Sequence, residues 1–306
     1  MAARSLSSIQ FNLQSTPLIK PSKNSHRLQI SMANPNPNPN LNYWTSINIE
    51  IDTHLNQAIP IKPPLTVFEP MRHLTSAAPK TSAPALCIAA CELLGGRREH
   101  ALPAAAALRL MQAAAFTHEN MPLTADSRPI SGHRYGPNVE LLTADGMVPL
   151  GFELLARVGD LTESEAGRIV RVIIEISHAM GSEGMVEGRY NEVKDGKSKR
   201  GEVVVDDTWL NEVCRKKEGR VYACAGACGA ILGGGNEDEI EKMRRYGVYV
   251  GMIEAIMNKV EEKINEEWYL REVDKLRELA LQELNHFNPE IIGVISSLID
   301  PKFCNV

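Results

Sequence analysis

From Tyr43 onward the apolar residues of this chain recur every three or four positions and almost never alternate, which restricts it to helices. Ile47, Ile51, Leu55 and Ile59 make one apolar stripe on a helix over 43–58, which Ile61-Lys62-Pro63-Pro64 stops. A helix over 86–94 ends at Gly95-Gly96, and one over 101–116, rich in Ala and Leu, tolerates Pro103 in its first turn. Helices over 140–158, 162–180 and 207–232 follow. Thr162 and Glu165 have the spacing of a capping box, and Gly233-Gly234-Gly235 closes one helix before Asn236 caps the next. Residues 237–286 read as long charged helices and 289–298 as a short last one. One short strand-like run, Glu202-Val203-Val204-Val205, sits beside a charged loop over 194–200. The expected fold is an all-α, single-domain helical bundle.

The first forty residues are of another kind. No Asp or Glu occurs before Glu50, whereas Arg4, Lys20, Lys23, His26 and Arg27 stand among many serines. That is the composition of an organellar transit peptide, and Met-Ala-Ala at the start leans toward the plastid stroma. A plain disordered tail has the same composition. Alternating proline in Asn34-Pro35-Asn36-Pro37-Asn38-Pro39-Asn40 blocks helix and predicts a disordered spacer. The folded domain is therefore expected over 41–306.

With 306 residues, 43% hydrophobic, the chain can bury a large core. A net charge of −5 argues against a general nucleic-acid binder, and no apolar run reaches the roughly twenty residues of a membrane span. Six cysteines in this length make no disulfide scaffold. Four of them fall into two pairs with one spacing, Cys87-Ile-Ala-Ala-Cys91 and Cys224-Ala-Gly-Ala-Cys228, while Cys214 and Cys304 stand alone. On a helix each pair shares a face. Zinc sites favour tighter pairs with histidine help, and a disulfide within a helical pair is strained. Four thiolates that met in space would still make a zinc site; the two readings otherwise open are small buried groups in tight helix packing and patches through which another helix approaches.

Residue patterns alone define no active site. No nucleophile elbow is present, and the Gly-rich stretch 229–235 lacks the Lys-Ser/Thr of a phosphate loop. Asp206-Asp207 sits at a loop-to-helix junction, and Glu261-Glu262 lies in a helix of mixed charge that reads as a solvated face.

Three segments nevertheless resemble plant geranylgeranyl diphosphate synthases. They are Ala85-Leu86-Cys87-Ile88-Ala89-Ala90-Cys91-Glu92-Leu93-Leu94-Gly95-Gly96, Ala179-Met180-Gly181-Ser182-Glu183-Gly184-Met185-Val186, and Gly229-Ala230-Ile231-Leu232-Gly233-Gly234-Gly235. The resemblance runs in order over about residues 43–298. It implies an isoprenoid-synthase-type bundle around a central cavity, in which two Asp-rich motifs hold magnesium and an allylic diphosphate.

The chain departs from that pattern where the chemistry resides. The first motif would begin after His118, but reads Glu119-Asn120-Met121-Pro122-Leu123-Thr124-Ala125-Asp126. The second aligns with Asn258-Lys259-Val260-Glu261-Glu262, where Lys259 puts an ammonium at a ligand position; the preceding Phe-Gln is Glu254-Ala255. The basic pocket for isopentenyl diphosphate has become Ala78-Pro79-Lys80-Thr81-Ser82-Ala83-Pro84, which keeps Lys80 and loses both arginines. Lys217 holds the place of another diphosphate-binding lysine, followed by Glu218. With degenerate metal motifs and two Cys-x-x-x-Cys pairs, the chain is similar to the type I small subunit of plant heteromeric geranyl diphosphate synthase. That resemblance implies no catalysis and no metal in this chain, and magnesium in a geranylgeranyl diphosphate synthase-like large subunit. It also implies a heterodimer or heterotetramer whose product shifts toward geranyl diphosphate, the monoterpene precursor. Cys87, Cys91, Cys224 and Cys228 are the implied subunit-interaction residues. Two rivals are a tethering adaptor and a divergent active prenyltransferase.

Overall fold

The computed structural model describes residues 39–121, 134–157, 162–198, 207–258 and 266–300. In chain order these form α1 (Pro39–Ala58), α2 (Leu65–Ala77), α3 (Ala83–Leu93), α4 (Arg98–Glu119), α5 (Pro137–Ala156), α6 (Glu163–Met180) and α7 (Met185–Ser198). Then come α8 (Asp207–Cys214), α9 (Arg220–Gly233), α10 (Glu237–Asn258), α11 (Glu266–Leu284) and α12 (Pro289–Ile295). No strand occurs among the described residues, as the spacing predicted. The strand-like run over 202–205 lies outside them.

Helices that are apolar all round must be buried all round, and α3 and α9 form the centre. Every residue of α9 from Val221 to Leu232 is buried, as is every residue of α3 from Ala83 to Cys91. α9 packs against α3 on one side and α10 on the other. Glycine permits this closeness. A Cβ on Gly229 would stand 2.2 Å from the Cys87 carbonyl oxygen of α3, and one on Gly226 would stand 2.3 Å from the Met243 carbonyl oxygen of α10. Gly234 ends α9 in the left-handed region (φ +84°), and the Gly235 amide returns to the Ala230 carbonyl, closing a Schellman turn.

The periphery is amphipathic and joined by ion pairs. Trp44 of α1 donates to Ser297 Oγ at 2.8 Å, tying the first helix to the last turn. Arg244 of α10 makes a two-pronged pair with Glu175 of α6 at 2.6 and 2.7 Å. Arg109, buried on α4, donates to the carbonyls of Pro79 and Ala78 and so fixes the loop into α3.

Several boundaries differ from expectation. α1 begins at Pro39, so Pro39 and Asn40 belong to a helix and not to the spacer. Proline is at home in a first turn, and Asn40 is anchored to the Gly293 carbonyl. Helix α2, which no sequence pattern above predicts, contains Pro70. Through Ser198 the charged segment expected as a loop belongs to α7. The expected helix over 207–232 is interrupted by a π-helical turn, Arg215–Gly219. The capping box forms in full: Thr162 Oγ1 accepts from the Glu165 amide, and the Glu165 carboxylate accepts from the Thr162 amide.

Candidate functional site

The C-terminal end of α4 opens into a cleft with two lobes. The smaller, about 130 Å3, lies under the loop into α3 and is bordered by Thr81, Gln112, Lys217, Glu218 and Tyr222. The larger, about 420 Å3, is walled by Met111 and Ala114 of α4, Val148 of α5, Met180 of α6 and Met185 of α7. Ala115, Glu119 and Met185 border both. A concave, mostly apolar site with a few converging polar groups is the usual form of a ligand pocket.

Glu119, at the last position of α4, lies 3.5 Å from the Lys217 ammonium. The π-helical turn explains how Lys217 gets there, since an inserted residue rotates side chains out of the helical sequence and marks functional positions. Lys217 is only 9% exposed. Arg189 of α7 donates to the Glu119 carbonyl at 3.4 Å. Beside it, His118 Nε2 stands 3.1 Å from Asp145 of α5. Asn120 turns its amide back onto the Phe116 carbonyl at 2.8 Å and finishes the helix.

These donors do not fit a magnesium cluster. Magnesium takes several hard oxygens, whereas the described residues that end this helix present one carboxylate, Glu119, beside the Lys217 ammonium and next to a neutral amide. Among the described residues no group of three or more His, Cys, Asp or Glu side chains is placed to hold a metal ion. Asn258 is the exposed last residue of α10. Asp126, Lys259, Glu261 and Glu262 lie outside the described residues.

Lys80, expected as a residual diphosphate contact of the isopentenyl diphosphate pocket, lies apart from Lys217. Its ammonium pairs with Asp52 of α1 at 2.6 Å, on the rim of a separate cavity between α1 and α2. Its neighbour Thr81 faces the cleft instead and bonds Gln112 at 3.1 Å. With Pro79 held by Arg109, successive side chains of this extended loop point opposite ways.

The four paired cysteines lie in the core. Cys87, Cys91, Cys224 and Cys228 are all buried within this one chain at the α3–α9 crossing, so none forms a patch on its surface. The Cys224 and Cys228 sulfurs are 3.7 Å apart, and the Cys228 sulfur approaches the Val172 carbonyl of α6 at 4.0 Å. Burial pushes the Cys91 thiol up to about 12 and those of Cys87 and Cys228 well above their ordinary range. Thiols held protonated are inert packing groups.

Glu254 stands in the sequence where the family's motif has Phe. In the structure it is the hub of a buried network. Its carboxyl accepts from Ser82 Oγ at 2.9 Å and, at very short range, from the Tyr222 hydroxyl, which itself accepts from the Ser82 amide at 2.9 Å. Burial raises the carboxyl against the pull of these hydrogen bonds. The network pins the start of α3 to α9 and α10 beside the smaller lobe. A lone acid in the apolar run Met252-Ile253-Glu254-Ala255-Ile256 was the available signal.

An all-helical bundle with an apolar cleft at the end of one of its long helices is the isoprenoid-synthase type of architecture. The chain belongs to the polyprenyl synthetase family, whose model matches residues 65–257. It is similar to the heterodimeric geranylgeranyl pyrophosphate synthase small subunit 2, chloroplastic, of Cannabis sativa, with 47% identity over 84% of this chain and 90% of that protein. The crystal structure of the geranyl diphosphate synthase small subunit from Antirrhinum majus is 48% identical with a TM-score of 0.77, covering 85% of this chain and 98% of that one. A mint heterotetrameric geranyl pyrophosphate synthase deletion mutant, in complex with ligands, is 45% identical with a TM-score of 0.73, covering 85% and 99%. Among the described residues no helix is long and apolar enough to cross a membrane.

Proposed function

We propose that this chain is the regulatory small subunit of a heteromeric prenyl diphosphate synthase of the plastid stroma, without catalysis of its own. The Glu119–Lys217 ion pair carries this reading: the position that should bind magnesium is neutralised from within the chain. Magnesium and bond formation then belong to a geranylgeranyl diphosphate synthase-like large subunit, and pairing shifts its product toward geranyl diphosphate.

The surface supports a partner. On α6, Val170 and Ile174 lie four apart and are 58% and 49% exposed; on the adjacent α5, Val139 and Leu142 lie three apart and are 40% and 70% exposed. Apolar side chains grouped on one face mark contact surfaces. The cysteine pairs act on assembly indirectly. They set the spacing of α3 and α9, and through Cys228 the seating of α6, without touching the partner.

The test supplies isopentenyl and dimethylallyl diphosphates with magnesium to the chain alone, the large subunit alone, and the mixture. The chain alone should give no product above background, and the mixture should enrich geranyl diphosphate over the longer product. Robust turnover by the chain alone, or an unchanged product profile on mixing, overturns the proposal.

A further inference from the structure

The geometry points to a second binding site, in a cavity on the face of α9 turned away from the cleft, for a small molecule bearing a diphosphate group. This goes beyond the regulatory role and stands or falls separately from it. The cavity is about 500 Å3, within the range of small-molecule pockets. His178 of α6, Arg215 and Lys216 of the π-helical turn, Arg220 of α9 and Arg244 of α10 all line it. Ala179, Ala223 and Val248 add an apolar wall. The π-helical turn separates the two sites. Lys217, Glu218, Val221 and Tyr222 border the smaller lobe of the cleft, whereas Lys216, Arg220 and Ala223 border this cavity. Such turns are frequent at functional positions.

The uncommitted donors select the ligand. Arg244 spends all three guanidinium nitrogens on Glu175 and Glu241, and so serves as a fixed wall. Lys216 is held by Glu187 at 3.0 Å. Arg215 grips Glu212 through Nε and Nη2, which leaves Nη1 to donate elsewhere. Arg220 is different: among the described residues its guanidinium makes no hydrogen bond and no ion pair. Residues 215 and 220 are five apart across the π-helical turn, whose repeat is i to i+5, so their side chains rise from one face. A guanidinium offers its donors as a planar fork that matches phosphate oxygens two at a time. A diphosphate has oxygens enough to accept from Arg220 and Arg215 together, and the group it carries would lie along Ala179, Ala223 and Val248. Nucleoside and isoprenoid diphosphates share this chemistry with inorganic pyrophosphate.

The test is calorimetric titration of the full chain with pyrophosphate, ADP, geranyl diphosphate and sulfate, at fixed ionic strength and with EDTA present. Pyrophosphate should bind saturably and at least tenfold more tightly than sulfate. Arg220 is exposed, so Arg220→Ala should leave helical circular dichroism and melting unchanged. It should weaken pyrophosphate about tenfold or more, the loss of a hydrogen bond between charged groups. Arg220→Lys keeps the charge without the fork and should recover only part of that loss. Lys217→Gln, in the cleft, should leave the affinity within about twofold, since Lys217 does not border this cavity. Tighter binding of ADP than of pyrophosphate assigns a nucleotide source, tighter binding of geranyl diphosphate an isoprenoid one, and parity of all three pyrophosphate itself. Absence of saturable pyrophosphate binding overturns the inference, as does sulfate binding of equal strength. So does pyrophosphate binding that Arg220→Ala leaves intact, or that Lys217→Gln abolishes. None of these outcomes bears on whether the chain alters a partner's product.

Discussion

At the scale of single residues, position in the fold decides chemistry that residue type leaves open. Glu119 is a carboxylate at the right place in the sequence for a metal ligand, yet the π-helical turn delivers Lys217 to it. Glu254 shows the opposite case, a carboxylate with no motif that ends up organising a buried junction. Its folded-state proton affinity is raised by burial, so the sign of its effect on stability follows directly. The protonated form is favoured in the folded chain. Its contribution is fully present below the ordinary glutamate range and is lost as pH rises through the raised folded value. Glu254→Gln keeps an acceptor for Tyr222 and Ser82 without the ionisation cost. It should melt higher than the natural protein at neutral and alkaline pH, by about 2–4 °C per kcal/mol recovered, and the gap should close on acidification. A melting series from pH 4 to 9 measures this; a gap constant with pH would refute the assignment.

At the scale of elements, the crossing of α3 over α9 is set by backbone proximity as much as by side chains. Gly229 has no room for a methyl group, because the Cys87 carbonyl occupies its place. Gly229→Ala should therefore destabilise the chain by at least about 1–3 kcal/mol, the usual cost of overpacking a core, measured by urea denaturation. Ala230→Gly, one position along the same helix, should cost only about 1 kcal/mol plus its lost methyl contact. The helical periods of both elements were legible in the sequence, as were the capping box and the Gly234 turn. The thiols' location was not. Spacing four apart says that two side chains share a face of a helix, but not whether that face meets water, another helix of the same chain, or another chain.

At the scale of the whole molecule, the apolar side chains exposed on α6 point outward, to the assembly proposed above. Val170→Glu with Ile174→Glu places two charges on the exposed face of α6 and touches nothing buried. This pair should weaken association with the large subunit at least tenfold in sedimentation or pull-down measurements, and should abolish the product shift while the melting temperature stays put. Unchanged association would move the interface elsewhere. The family and the degeneracy of its motifs could be read from the chain as letters: His118-Glu119-Asn120, the lost arginines around Lys80, and the run ending at Gly235. By itself the sequence determined that the chain is helical, where most of its helices stop, and that its letters depart from the Asp-rich motifs of the family it resembles, because periodicity, capping and residue identity are local properties. Only the tertiary structure decided that Lys80 faces Asp52 while Lys217 faces Glu119, that four cysteines lie in the core, and that Glu254 joins three helices. Those outcomes depend on which faces of distant helices meet, and a few tens of degrees of helix rotation, such as one π-helical turn supplies, suffice to change them.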